Sequence, residues 1–299
     1  MGKKVLVQVP EGLKTRIFDI AESLEEQGYR VFVSAERCYG SCDNRFSDAA
    51  ALGAKIIHYG HSGPEPVEYR EVRFSGDPVG ILKRHFSLVS GFRSFGLLGT
   101  LQYLHLLEAV KKFLEAEGKE VLIGDSAPGL LPGQILGCRF ENATAVQDSV
   151  DCFLFIGTGR FHALGVEVEK PVFAVDVERG TVEKVDREEI EKKRMLALGQ
   201  ALSSERFAVL VSTKPGQFRP GLAEEVYDAL RSRGKKGLIL VFDEISKDKL
   251  EGMEFDFLVN TACPRIAEDD LGAPVVNAGD LLNYLKEETE KNNPWTSGK

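Results

Sequence analysis

Arg30-Val31-Phe32-Val33-Ser34-Ala35, followed after Glu36 by Arg37-Cys38-Tyr39-Gly40-Ser41-Cys42-Asp43, reads as an apolar strand running into a polar loop that carries glycine and cysteine. In α/β proteins the loops just past the carboxyl ends of strands hold the chemistry. Cys138 in the segment ILGCRF and Cys263 in NTACPR also follow apolar, strand-like runs, each after roughly a further hundred residues. This recurrence predicts that Cys38, Cys138 and Cys263 meet in space.

Upstream of that stretch, residues 4–10 (KVLVQVP) have the valine-rich pattern of a buried strand. Leu13, Ile17, Ile20 and Leu24 then recur at helical spacing, with Gly28 as the stop. Downstream, residues 46–52 predict a short helix ended by Gly53, residues 54–59 a third strand and residues 66–74 a fourth. Alternating strands and helices imply a parallel sheet with helices on its faces.

The same grammar returns twice. Residues 96–100, an amphipathic helix ending at Gly118, and strands at 119–126, 151–156 and 170–177 make a second copy, in which APGLLPGQILG leads to Cys138. A long helix at 186–202 carries the chain into a third copy, with strand, helix, strand, connecting segment, strand and strand between residues 207 and 279. There the cysteine follows the third strand, not the second. The tail from residue 287 is polar and expected to fray. The expected architecture is three related parallel-sheet α/β units, residues 1–93, 94–186 and 187–299, with pseudo-threefold symmetry. One long doubly wound sheet fits the strand and helix recurrence as well; a cysteine at a strand's carboxyl edge in every copy favours three units.

A chain of 299 residues exceeds one typical domain and can bury a substantial core. With 43% apolar and 28% charged residues it has the composition of a soluble globular protein, and no apolar run approaches the roughly 18 residues of a membrane span. Met1-Gly2-Lys3-Lys4 passes into a strand without a long apolar segment, which predicts no secretory signal and a cytoplasmic protein. A net charge of -8 argues against a broad nucleic-acid surface. Five cysteines in a reducing compartment point to metal binding or plain burial.

Ligand chemistry narrows the cofactor. Structural zinc normally takes four protein ligands, often in CxxC pairs, and this chain has no CxxC; Cys38 and Cys42 are separated by three residues. Three thiolates from three units suit a 4Fe-4S cluster with one iron left open for substrate.

Five motifs occur in order: CYGSCD, GCRF beyond a proline-glycine loop, GTGRFHALG at 157–165, STKPGQ at 212–217 and TACPRI at 261–266. Together they resemble the archaeal diphthamide synthase family of the diphthamide biosynthesis protein 2 type, over nearly the whole chain. The resemblance implies a homodimer, a 4Fe-4S cluster held by Cys38, Cys138 and Cys263, and an unconventional radical reaction of S-adenosylmethionine. In that reaction a 3-amino-3-carboxypropyl group passes to a histidine of elongation factor 2 and methylthioadenosine is released. A reductant protein is implied as partner. Conventional radical enzymes of this cofactor carry CxxxCxxC; here Cys38 to Cys42 supplies only its first half.

The methionine carboxylate of such a substrate needs a cation or backbone N–H, for which Arg160, Lys214 and Arg265 are candidates. Gly159 in GTGRFH and the glycine of KPGQ allow close backbone approach, and Thr158, His162 and Gln217 can complete a pocket by hydrogen bonding. Each has a plainer reading: loop packing for His162, a turn cap for Lys214, an ion pair with Glu268 or Asp269 for Arg265. Cys152, inside DCFLFIG, reads as core, and Cys42 is the alternative to Cys38 as ligand. His58 and His61 either face the site or lie in solvent, and His105 reads as structural. Two other functions fit the pattern less closely: an iron–sulfur dehydratase resembling quinolinate synthase, and a silent accessory subunit.

Overall fold

The computed structural model describes residues 2–125 and 128–291, with side chains to residue 287. The chain divides into two compact units, Met1–Asp186 and Arg187–Lys299.

The first unit holds two sheets. In the first, β1 (Lys3–Gln8), β2 (Tyr29–Val33), β3 (Lys55–Tyr59) and β4 (Glu68–Arg70) are all parallel in the order β2-β1-β3-β4. The central strand β1 is covered on both faces, as its unbroken apolar run requires. Val5, Val7 and Val9 pack with Leu13, Leu24 and Ile57, while Leu6 points the other way onto Ala49 and Ile56. The helical segment after β1 begins as a 3-10 turn, Glu11–Arg16, and continues as α1 (Ile17–Glu26); α2 (Phe46–Leu52) ends at Gly53 in the left-handed conformation, φ 61°. A glycine stop of this kind satisfies the last carbonyls of a helix without steric cost.

Helix α3 (Pro78–His85) lies in a stretch to which sequence periodicity assigned no element. Its start is explicit nonetheless: Asp77 accepts the Gly80 N–H at 2.8 Å and Pro78 occupies the first turn. Although it precedes residue 94, its Ile81 and Leu82 belong to the core built around Phe95, Leu97 and Leu154.

The second sheet comprises β5 (Ser94–Gly99), β6 (Glu120–Leu122), β7 (Cys152–Gly157), β8 (Val172–Asp176) and β9 (Thr181–Lys184), in the order β6-β5-β7-β8-β9. Only β9 is antiparallel, closing a hairpin on β8 in which Gly180 N–H bonds Asp176 O at 2.9 Å. Helix α4 (Leu107–Ala116) and the short α5 (Glu141–Thr144) and α6 (Phe161–Leu164) complete this part. β7 is buried throughout: Cys152, Leu154 and Ile156 face one core, Phe153 and Phe155 the other.

The second unit starts with α7 (Glu188–Ser203) and is built on β10 (Arg206–Ser212), α8 (Pro220–Arg231), β11 (Lys236–Phe242), β12 (Phe257–Asn260), β13 (Val275–Asn277) and α9 (Ala278–Lys291). The parallel order is β11-β10-β12-β13. The expected fraying from residue 287 is corrected here: α9 continues to Lys291, anchored by buried Leu281, Leu282 and Leu285. Residues 292–299 lie outside the described residues. All three sheets therefore place their second strand outside their first and their third on its other flank, one strand order used three times.

Candidate metal and substrate site

Cys38 sits beyond the carboxyl end of β2 and is 3% exposed. Strand β3 brings His58 beside it, fully buried, and the turn after β3 brings His61. Cys38 Sγ is 3.4 Å from His58 Nε2, which is 2.8 Å from His61 Nδ1. Of the two readings that the sequence left for His58 and His61, facing the site or lying in solvent, the structure takes the first, beside Cys38. The signal was available: with Ile57 facing the α1 core, the period of two along β3 turns His58 to the opposite face.

A directed hydrogen-bond chain orients the pair. Asn44 Nδ2 donates to Tyr69 Oη at 3.0 Å, and Tyr69 donates to Glu65 Oε2 at 2.9 Å. Asn44 Oδ1 therefore accepts from His58 Nδ1 at 2.8 Å, which leaves His58 Nε2 as a lone pair pointing at Cys38 and His61. Burial, with the charge of His61 second, holds His58 down at about 3. Burial likewise lowers His61 to about 4, against an opposing pull from Asp43. Both rings are neutral at pH 7, and the hydroxyl of Tyr69 is pushed up by burial. Gln8 stitches the loop in place, donating to Asp43 O at 3.0 Å and accepting from Arg45 N–H at 2.9 Å.

Cys138 is exposed, in a tight loop where Leu136 N–H bonds Arg139 O at 2.8 Å. Three contacts position that loop. Ser62, next to His61, bonds both ends of the Gln134 amide; Asn142 donates to Leu131 O and Gln134 O; and Gly165 lies so close that a Cβ there would stand 2.5 Å from Gly137 O. Residues 158–162 follow β7. Gly159 takes φ 63° and gives its N–H to Asp176 at 2.9 Å, Thr158 bonds Tyr103, Arg160 is exposed, and His162 stacks on Phe155. Asp176 is desolvated, yet N–H groups of Arg179, Gly159 and Glu178 more than offset this and hold its carboxyl below the usual range.

In the second unit, Lys214 and Gln217 are buried in the turn after β10, and Cys263 opens the turn Pro264–Glu268 after the neighbouring β12. Asn260 shapes that turn, donating to Cys263 O at 2.8 Å and accepting from Ala262 N–H at 3.0 Å. Arg265 pairs with Glu268 at 2.5 Å, the plainer of its two expected roles. Cys152 lies deep in β7, its thiol pushed up to about 12 by burial, so it stays protonated and apolar.

Cys38, Cys138 and Cys263 thus stand in loops past strands of three different sheets, each loop held by side-chain hydrogen bonds, while Cys152 is withdrawn into the core. Each of these loops offers one thiol of the kind that can hold an iron–sulfur cluster. Fold and site together define a three-sheet α/β metalloprotein. The chain belongs to the diphthamide synthesis protein family, whose model matches residues 9–296. It is 35% identical over 304 residues to the 2-(3-amino-3-carboxypropyl)histidine synthase of Pyrococcus horikoshii, covering 97% of this chain and 88% of that protein. The enzyme of the same name from Methanocaldococcus jannaschii is 29% identical over 316 residues, covering 95% and 84%. The human protein named subunit 1 of that synthase is 30% identical over 287 residues, covering 90% of this chain and 64% of its own length. The crystal structure of Dph2 from Pyrococcus horikoshii superposes with a TM-score of 0.87 at 33% identity, covering 95% of this chain and 86% of that one. Its structure with a 4Fe-4S cluster gives 0.86, covering 96% and 87%. The family resemblance read from the motifs is borne out, and so is the expected α/β fold, with three predominantly parallel sheets.

Proposed function

We propose that this chain is a 2-(3-amino-3-carboxypropyl)histidine synthase, the enzyme of the first step of diphthamide biosynthesis. The reaction breaks the bond from sulfur to the γ-carbon of S-adenosylmethionine and joins that carbon to the imidazole carbon between the ring nitrogens of a histidine in elongation factor 2. The ring carbon gives up its hydrogen as a proton together with one electron, which balances the electron that opened the sulfonium, and methylthioadenosine leaves. The observation that carries the reading is the full-length likeness to synthases of this name, with Cys38, Cys138 and Cys263 each standing in a loop past a strand.

When bound, a 4Fe-4S cluster supplies the electron that opens the sulfonium. This chain's residues do the rest. Cys38, Cys138 and Cys263 are its ligands, and His58 and Asn44 hold the wall against which Cys38 lies. Arg160 and Lys214 are the cations for the methionine carboxylate, with Arg265 already engaged by Glu268. Gly159, Thr158, His162 and Gln217 orient the remaining polar groups; positioning of the γ-carbon decides which bond breaks. Elongation factor 2 is the protein substrate and a reductant protein the electron source. The working form is a homodimer in the cytoplasm; among the described residues no helix is long and apolar enough to cross a membrane.

The test is anaerobic reconstitution with iron and sulfide, then dithionite, S-adenosylmethionine and elongation factor 2. Methylthioadenosine and a modified histidine are expected, without 5′-deoxyadenosine. A fully iron-loaded protein that forms neither product overturns the reading.

A further inference from the structure

Cys38, His58 and His61 hold more than the cluster reading uses. Their ligating atoms, Sγ, Nε2 and Nδ1, all lie within 4.8 Å of one another, and two of the three residues are buried. Tetrahedral zinc with Zn–S near 2.3 Å and Zn–N near 2.0 Å needs S···N separations of about 3.5 Å and N···N of about 3.3 Å. The observed 3.4 Å from Cys38 to His58 already matches, and the two rings, at 2.8 Å, need to part by roughly half an ångström. His58 also has the support that metal-bound histidines use: its other nitrogen donates to a side-chain carbonyl, Asn44 Oδ1, which leaves Nε2 free to ligate. The buried Asp43 carboxylate acts on His61 electrostatically, which favours a cation beside it.

We infer that the cluster-free protein binds one zinc ion through Cys38, His58 and His61, with solvent as fourth ligand, and that this ion blocks cluster assembly by occupying Cys38. Binding releases the thiol proton of Cys38 and moves the His61 proton to Nε2; no electron is exchanged. A nitrogen-rich, single-sulfur set prefers zinc to ferrous iron in the usual order of divalent affinities. The zinc site stands on the geometry alone, whereas its blocking effect rests on the function proposed above.

The experiment titrates metal-free, anaerobic protein with zinc against a chromophoric chelator, and with cobalt as a spectroscopic probe. One equivalent should bind, with a thiolate-to-cobalt charge-transfer band and intense tetrahedral ligand-field bands. His61→Ala and the milder His61→Gln should weaken zinc by about tenfold or more while taking up iron and sulfide as wild type does; Cys42→Ala should bind zinc normally. Zinc-loaded wild type should resist iron uptake until the zinc is chelated. Equal zinc affinity in wild type and both folded His61 variants, or a cobalt spectrum without the thiolate band, overturns the inference. If zinc-free wild type takes up no iron, the cluster reading fails while the zinc result still stands.

Discussion

Ser62 and Gln134, 72 residues apart, meet with Ser62 Oγ donating to Gln134 Oε1 at 3.0 Å and Gln134 Nε2 donating to Ser62 Oγ at 2.8 Å. Ser62 follows His61 directly, and Gln134 lies four residues before Cys138. The bond therefore ties the turn beside Cys38 to the loop of Cys138 inside one compact unit. Gln134 is 1% exposed and its Oε1 also accepts the Leu131 N–H at 3.0 Å, so both ends of its amide are engaged.

Gln134→Leu should leave Ser62 Oγ and Leu131 N–H short of a partner, at a cost of about 1–3 kcal/mol in urea unfolding. Iron retention under mild chelation should fall faster than this loss of global stability explains, because the Cys138 loop is the part released. Unchanged retention would detach the bond from the metal site.

Gly165→Ala should act on the same loop from the opposite side. Gly165 has an ordinary φ, so the effect is the clash with the Gly137 backbone, which has no side chain to swing away. Iron content per chain should drop by half or more with the fold retained, as read by near-ultraviolet circular dichroism. Gly221→Ala, in α8 with open space around it, is the neutral comparison.

Among the thiols, Cys138→Ala and Cys263→Ala should each lose most of the brown absorbance on reconstitution. Cys152→Ala should keep it, and lose about 1–2 kcal/mol of stability by opening a small void in the β7 core. Loss of iron from the Cys152 variant without unfolding would reassign the ligands.

Asp176 predicts a pH dependence. Its folded carboxyl titrates below the ordinary carboxylate value, because backbone N–H groups favour the charged form. The stabilisation is thus full above pH 5 and disappears as pH falls past the unfolded value near 3.8 through the lower folded one. Asp176→Asn should lower stability at pH 7 by about 1–3 kcal/mol and flatten the acid limb of the unfolding midpoint against pH. A parallel shift at every pH would show that the charge is not what matters.

Much of the strand framework could be read from periodicity, since central strands such as β1 and β7 are apolar on both faces and stand out against their surroundings. The helix at residues 46–52 was legible because Gly53 marks its end. Helix α3 was missed, its buried Ile81 and Leu82 giving too short a stripe to register, although Asp77 and Pro78 announce its start. α9 was missed for another reason: its polar face dominates the composition of the tail. At the site, sulfur was easy to find because cysteine is rare, and three of the five motifs behind the family resemblance carry it. The partnership of His58 with Asn44, Tyr69 and Glu65 was not legible, because it depends on three segments meeting in space, which no local pattern encodes.

The thrice-used strand order has a consequence for synthesis on the ribosome. The first sheet is closed once Arg70 has emerged, the second at Lys184 and the third at Asn277. No sheet waits for a strand from a later copy, so a nascent chain can finish each layer before the next is translated, keeping its sticky parallel edges briefly exposed.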